Sequence, residues 1–293
     1  MTLSAPPERA QVDGPRASNL MLRVASAAVL APITLAITYW GGFAFYTLCA
    51  LSAGAILWEW VSLVSHRADA RVLAPGWLAL FAAMLLIDLG WPAASIAAVA
   101  AGALAGAAIV AALPRSTDEA SASAWAAGGV IYAAALLIAP ALLRSDPQWG
   151  WRVLVFLFAN VWATDIFAFF CGRAIGGPLL WPRVSPKKTW AGALGGLAGG
   201  VAASLVVAYA SGVGNLGIVG GMACVLSVLA QAGDLFESAV KRRFGAKDAS
   251  HLIPGHGGLM DRLDGFIFAA LAAVLIGMSH QGIAAPARGL LVW

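Results

Sequence analysis

The sequence predicts an all-α fold, a polytopic integral membrane protein with about nine transmembrane helices. Three observations lead there. Of 293 residues, 61% are apolar and 11% charged, and the mean hydropathy of +0.83 lies well beyond that of soluble domains. The apolar residues gather in uncharged runs close to the length that a helix needs to cross the hydrocarbon core. When those runs are drawn as spans, the basic residues collect on one side of the membrane.

Residues 1 to 18 carry Pro6, Pro7 and Pro15 among Glu8, Arg9, Asp13 and Arg16 with little to bury. They are expected to form a disordered cytoplasmic tail, not a cleaved signal peptide. Spans follow at 21 to 40, 43 to 64, 73 to 91, 93 to 113, 123 to 143, 150 to 171, 190 to 211, 216 to 238 and 263 to 280. The break between the third and fourth is the weakest, with Trp91 and Pro92 alone between them. Gly192, Gly195, Gly196, Gly199 and Gly200 suit close helix approach in lipid. Residues 19 to 281 therefore read as a single membrane domain, and 282 to 293 as a short C-terminal tail without signal.

With the N-terminus cytoplasmic, fifteen Lys and Arg residues fall on that side, and Arg144, Arg152 and Arg288 on the other, which accounts for all 18. This places the polar loops 172 to 189 and 239 to 262 on the cytoplasmic face. It also explains a pI near 9.2 without nucleic acid as a partner. Cys49, Cys171 and Cys224 lie in apolar runs with no metal-binding or disulfide spacing.

The stretch QAGDLFESAVKRRFGAKDASHLIPGHGGLMDRLDGF, from Gln231, is unlike the rest of the chain. If the eighth span is helical to Lys241, then Asp234, Ser238 and Lys241 share one face at i, i+4 and i+7. Asp261 and Asp264, at i and i+3, share a face where the ninth begins. Acids at the ends of adjacent helices, surrounded by Lys241, Arg242 and Lys247, suit phosphate plus metal. Mg²⁺ is held by one or two carboxylates with phosphate oxygens and waters, and Lys and Arg neutralise the remaining charge. A nucleoside triphosphate with Mg²⁺ is the ligand class. The turn Pro254-Gly255-His256-Gly257-Gly258 can bring backbone N–H groups to an anion. A loop that merely enforces topology would account for Lys241, Arg242 and Arg243, but not for Asp234, Asp261 and Asp264 near membrane depth.

A second constellation places Asp165 inside the sixth span and Ser185-Pro186-Lys187-Lys188-Thr189 just before the seventh. Ser185 is expected to cap that helix, leaving Lys187 and Lys188 by an anion-favouring N-terminus. Glu59 is a lone intramembrane acid whose role, structural or functional, stays open. Asp88, near a span end, is expected to be solvated. Two rivals remain at this level: a transferase acting on a lipid alcohol, which needs a general base, and a transporter of an anionic substrate, which should show inverted repeats.

Ser238, Lys241-Arg242, Lys247-Asp248, His256-Gly257-Gly258 and Asp261-Arg262-Leu263-Asp264 reproduce, in order and spacing, a long signature. Through it the chain resembles the bacterial phosphatidate cytidylyltransferase (CDP-diacylglycerol synthase) family. Asp165, Gly172-Arg173 and Ser185 to Trp190 resemble that family too, so the likeness covers a catalytic half of about 155 to 280. The N-terminal half matches in being apolar and multi-span. Ile166-Phe167 departs from the smaller or more polar residues expected after Asp165.

The resemblance implies a Mg²⁺-dependent enzyme of the bacterial inner membrane, active on its cytoplasmic side. It would join CTP to phosphatidic acid, drawn from membrane lipid, to give CDP-diacylglycerol and pyrophosphate. Asp261 and Asp234 are then the expected metal ligands, with Asp264 in support. Lys241, Arg242 and Lys247 would hold phosphates. Ser238 would hydrogen-bond substrate or a metal-bound water, Ser185, Lys187 and Lys188 would meet lipid phosphate or nucleotide, and His256 and Gly257 would belong to the substrate-binding loop, His256 ordering it or hydrogen-bonding phosphate. A second or monovalent cation and a homodimer are left open.

Overall fold

Apolar periodic segments become helices almost throughout a computed structural model that describes residues 16–65, 69–112, 119–250, 252 and 257–293. In order these are α1 (Arg16–Trp40), α2 (Gly42–Ser65), α3 (Ala70–Asp88), α4 (Pro92–Ala112), α5 (Glu119–Arg144) and α6 (Gly150–Ile175). A hairpin of β1 (Leu179–Trp181) and β2 (Ser185–Thr189) follows, then α7 (Trp190–Ala210), α8 (Leu216–Arg243), α9 (Met260–Gln281) and α10 (Pro286–Leu291). Among the described residues, the eight helices α2 to α9 are long and apolar enough to cross a membrane. The first expected span falls on α1, whose apolar part is the shorter Ala28–Trp40. The chain is thus a multi-pass all-α membrane protein.

Several expectations shift at the edges. Helix α1 begins at Arg16, inside the expected tail, and residues 1 to 15 lie outside the described residues. The weak break at Trp91 and Pro92 is real, because Pro92 opens α4 after a turn at Gly90. Asp88 is exposed, as expected.

The C-terminal segment is not a plain tail. Helix α10 buries Pro286, Ala287, Gly289, Leu290 and Leu291. A Cβ added to Gly277 of α9 would lie 1.9 Å from the Pro286 carbonyl oxygen, and one on Gly289 would lie 2.1 Å from that of Gly277, so the two backbones touch. His280 stacks on Trp293 at 3.7 Å between ring centroids.

Ser185 does not cap α7. Pro186 disfavours helical backbone at the residue before it, so the segment runs extended and pairs antiparallel with β1, Trp181 opposite Ser185 and Leu179 opposite Thr189. The cap is Thr189, whose hydroxyl accepts the Gly192 N–H at 3.1 Å.

Two close helix contacts build the region around the hairpin. Helices α6 and α7 meet along a stripe of small residues. A Cβ on Gly192, Gly196 or Gly200 would lie 2.8 Å from the Ala168 carbonyl, 2.7 Å from that of Thr164, and 2.2 Å from the Thr164 hydroxyl. Lipid supplies no hydrophobic drive between helices, so this contact rests on dispersion and interhelical polar bonds. Asn160 bonds the Ser204 hydroxyl at 2.9 Å and the Ala223 carbonyl at 3.1 Å, and Thr164 bonds Ser227 at 2.8 Å, tying α8 into the same seam. Helices α8 and α9 meet at paired glycines. A Cβ on Gly233 would lie 2.6 Å from the Asp264 carbonyl, and one on Gly265 would lie 3.1 Å from that of Ala230. Asp234 and Asp264 adjoin this crossing.

Candidate active site

A cavity of about 1310 Å³ opens between the hairpin, α6, α8 and α9, and continues toward α1, α2 and α5. Its polar end is lined by Asp165, Asp234, Glu237, Asp248, Asp261 and Asp264, together with Ser185, Lys187, Lys188, Lys241 and Arg262. Its other end is apolar, walled by Leu30 of α1, Phe45 and Leu48 of α2, Leu136 of α5, and Phe158 and Trp162 of α6.

Charges at the polar end are paired across elements. The Lys188 ammonium, on β2, donates to Asp234 Oδ2 of α8, joining hairpin to helix. Lys241 Nζ lies 2.6 Å from Glu237 Oε2 and donates to Asp261 Oδ1 at 2.5 Å, which ties α8 to the first turn of α9. Asp261 Oδ2 accepts from the N–H groups of Gly258 at 2.9 Å and Ala249 at 3.1 Å. Asp264 Oδ1 accepts from the Gly265 N–H at 2.8 Å.

Much of the expected set converges here. Asp234, Asp261, Asp264, Lys241, Ser185, Lys187 and Lys188 all line the one cavity, as does Asp165. Gly257 adjoins it, with a φ of +85° that favours glycine and an added Cβ 3.3 Å from Asp261 Oδ2. His256 lies outside the described residues.

Ser238, Arg242 and Lys247 are not in the cavity wall. Successive residues on a helix turn by about 100°, so Glu237 and Ser238 flank the Asp234 and Lys241 line on opposite sides. The cavity takes the Glu237 side, and the working face of α8 is Asp234, Glu237 and Lys241. Arg242 instead donates to the Ala246 carbonyl at 2.9 Å beyond the end of α8, and Lys247 is exposed. Glu237 escaped the sequence reading although its spacing of four from Lys241 was visible there. Glu59 stood out in the sequence as an intramembrane acid, but nothing local named its partners: it is fully buried and bonds Ser250, Leu259 and Met260, about two hundred residues away.

Among the described residues, no group of three His, Cys, Asp or Glu stands within reach of one ion. Asp261 turns both oxygens to Lys241 and to backbone N–H groups. Asp234, whose Oδ2 is paired with Lys188, and Asp264 adjoin the glycine crossing, and two carboxylates are the number a Mg²⁺ ion needs when phosphate oxygens and water complete its shell.

Residues 21–279 match the model of a family described as the cytidylyltransferase family. A protein named phosphatidate cytidylyltransferase from Brucella abortus biovar 1 (strain 9-941) is 44% identical over 265 residues, covering 89% of this chain and 94% of its own. One of the same name from Rickettsia bellii (strain RML369-C) is 41% identical over 138 residues, 44% of this chain and 58% of its own. The Staphylococcus aureus (strain COL) protein of that name is 41% identical over 120 residues, 41% of this chain and 46% of its own. The first alignment reaches well beyond the 155 to 280 region in which the sequence motifs lie.

Proposed function

The chain belongs to the cytidylyltransferase family, and on that premise we propose that it transfers CMP from CTP to phosphatidic acid, giving CDP-diacylglycerol and pyrophosphate. The observation that carries this reading is the single cavity with two unlike ends. A charged end of Lys187, Lys188, Lys241 and Arg262 among carboxylates suits a nucleotide and a phosphate headgroup. An apolar end between α1, α2, α5 and α6 suits acyl chains.

The lipid phosphate is a monoester with a second pKa of about 6, so at neutral pH it is already an anionic nucleophile and needs no general base. One of its oxygens attacks the α-phosphorus of CTP; the bond from that phosphorus to the bridging β-oxygen breaks, and pyrophosphate leaves. What the protein must do is hold two polyanions in line. Lys187 and Lys188 on the hairpin would hold one phosphate, and Lys241 and Arg262 the other. Lys188 is paired with Asp234, and Lys241 with Glu237 and Asp261, so the cationic heads are oriented before substrate arrives.

Asp234 and Asp264 are the residues that would hold Mg²⁺, with Asp261 joining if Lys241 turns to phosphate. The ion would neutralise charge that develops on the phosphate oxygens. The charged end faces the cytoplasm of a bacterial inner membrane in this reading. The support is the charge asymmetry of the loops, since Lys187, Lys188 and the segment after Arg243 fall on the basic side.

Purified protein given labelled CTP, phosphatidic acid and Mg²⁺ should release pyrophosphate and form CDP-lipid. A polyprenol or diacylglycerol arm detects the lipid-alcohol transferase. No CDP-lipid and no pyrophosphate with phosphatidic acid would refute the proposal.

A further inference from the structure

Helix α9 opens without a cap of its own. Leu259 sits at its N-cap and makes no side-chain hydrogen bond to the first turn, whose N–H groups still need acceptors. The acceptors come from the N-terminal half of the chain. Glu59 of α2 takes the Leu259 N–H on Oε1 at 2.8 Å and the Met260 N–H on Oε2 at 2.6 Å. Its Oε1 also accepts from the Ser250 hydroxyl at 2.5 Å. A carboxylate against the N-terminus of a helix meets both its free donors and the positive end of its dipole, and such charge-assisted bonds are among the stronger ones.

This cap adjoins the site without belonging to the cavity wall. Leu259 and Asp261 line the cavity, whereas Glu59 lies behind them. Gly258 stands between the two carboxylates: a Cβ there would come within 2.8 Å of Glu59 Oε1 and 2.9 Å of Asp261 Oδ2. Glu59 and Asp261 therefore hold neighbouring parts of the entry to α9, Glu59 through the Ser250 hydroxyl and the Leu259 and Met260 N–H groups, and Asp261 through the Ala249 and Gly258 N–H groups.

We propose that Glu59 is a positioning residue for the transfer reaction, holding the first turn of α9 so that Asp261 and Asp264 face the substrates. Its activity readout rests on the cytidylyl transfer proposed above; its structural readout does not. Glu59→Gln keeps the volume but turns an amide N–H₂ toward backbone donors, and it removes the charge from the helix end. Glu59→Asp keeps the charge on a shorter arm and should recover part of the function. Gly258→Ala leaves the Glu59 side chain in place but presses a methyl group against Glu59 Oε1 and Asp261 Oδ2, so it disturbs the same grip from the backbone side.

The test compares these variants with wild type in detergent, with kcat and KM for CTP measured well below each variant's own Tm, and with hydrogen exchange read on peptides covering Gly258 to Asp264. A misplacement of about 1 Å at reacting groups costs on the order of a hundredfold, so Glu59→Gln and Gly258→Ala should lose about tenfold to a hundredfold in kcat, and Glu59→Asp less. Exchange should rise in that first turn and stay unchanged in α6 and α7. Activity of Glu59→Gln within about twofold of wild type under those conditions would overturn the proposal, as would exchange raised uniformly along the chain, the mark of a general fold stabiliser. Should wild type itself form no CDP-lipid, the proposed function fails, and the exchange comparison still decides the role of Glu59.

Discussion

Lys241→Met tests the charge arrangement of the site most directly. The Lys241 ammonium is the shared cation of two carboxylates, at 2.6 Å from Glu237 and 2.5 Å from Asp261. All three side chains are largely out of solvent, with 10% of Lys241, 1% of Glu237 and 8% of Asp261 exposed. Methionine keeps the length of the chain and removes the charge, so two buried acids face each other with no common counterion. Breaking a buried ion pair by deleting one partner costs about 3 to 5 kcal/mol, because the remaining charge is left uncompensated. At roughly 2 to 4 °C per kcal/mol, Tm should fall on the order of 10 °C. Turnover should fall as well, since Asp261 loses the partner of its Oδ1. Adding Glu237→Gln to Lys241→Met removes one of the stranded charges. The double variant should regain part of the lost Tm in a detergent thermal-shift assay while turnover stays low. An unchanged Tm in Lys241→Met, or a double variant less stable than the single, would refute the account of Lys241 as the cation that neutralises this pair.

Asp261→Asn should cut turnover by on the order of a hundredfold or more while the protein still elutes as a folded species, and wild-type activity would remove Asp261 from the essential set. Gly233→Ala forces a Cβ to 2.6 Å from the Asp264 carbonyl, so α8 and α9 must part. It should cost about 1 to 3 kcal/mol and most of the activity, whereas Gly221→Ala, which meets nothing within 4 Å, should be silent in both the thermal and the turnover assay. A reporter fused after Gly245 should be cytoplasmic, and periplasmic exposure there would reverse the assigned orientation.

The membrane architecture could be read from composition because lipid imposes a one-dimensional rule. Each span must hide its backbone in a helix of fixed length, so runs of apolar residues report spans directly. Pro92 separating α3 from α4 shows how little else is needed. The helical faces were harder to read. Asp234 and Lys241 belong to the cavity, but the member between them is Glu237 and not Ser238, because periodicity relates residues to one another and does not say which flank of the helix meets a neighbour. The strand at Ser185–Thr189 was missed for a related reason: a capping residue looks the same whether a helix begins at once or after a short hairpin. The apparent tail from 282 had no pattern to announce that two glycines, Gly277 and Gly289, would let α10 lie against α9.

Local sequence, then, set the spans, the charge asymmetry of the loops and the candidate residues of the site, since each follows from the solvation needs of neighbouring residues. Folding in three dimensions chose the partners: Lys188 for Asp234, Lys241 for Glu237 and Asp261, and Glu59 for the start of α9. Those pairings depend on distances between helices, which small residues at Gly200, Gly233 and Gly265 determine and no sequence spacing encodes.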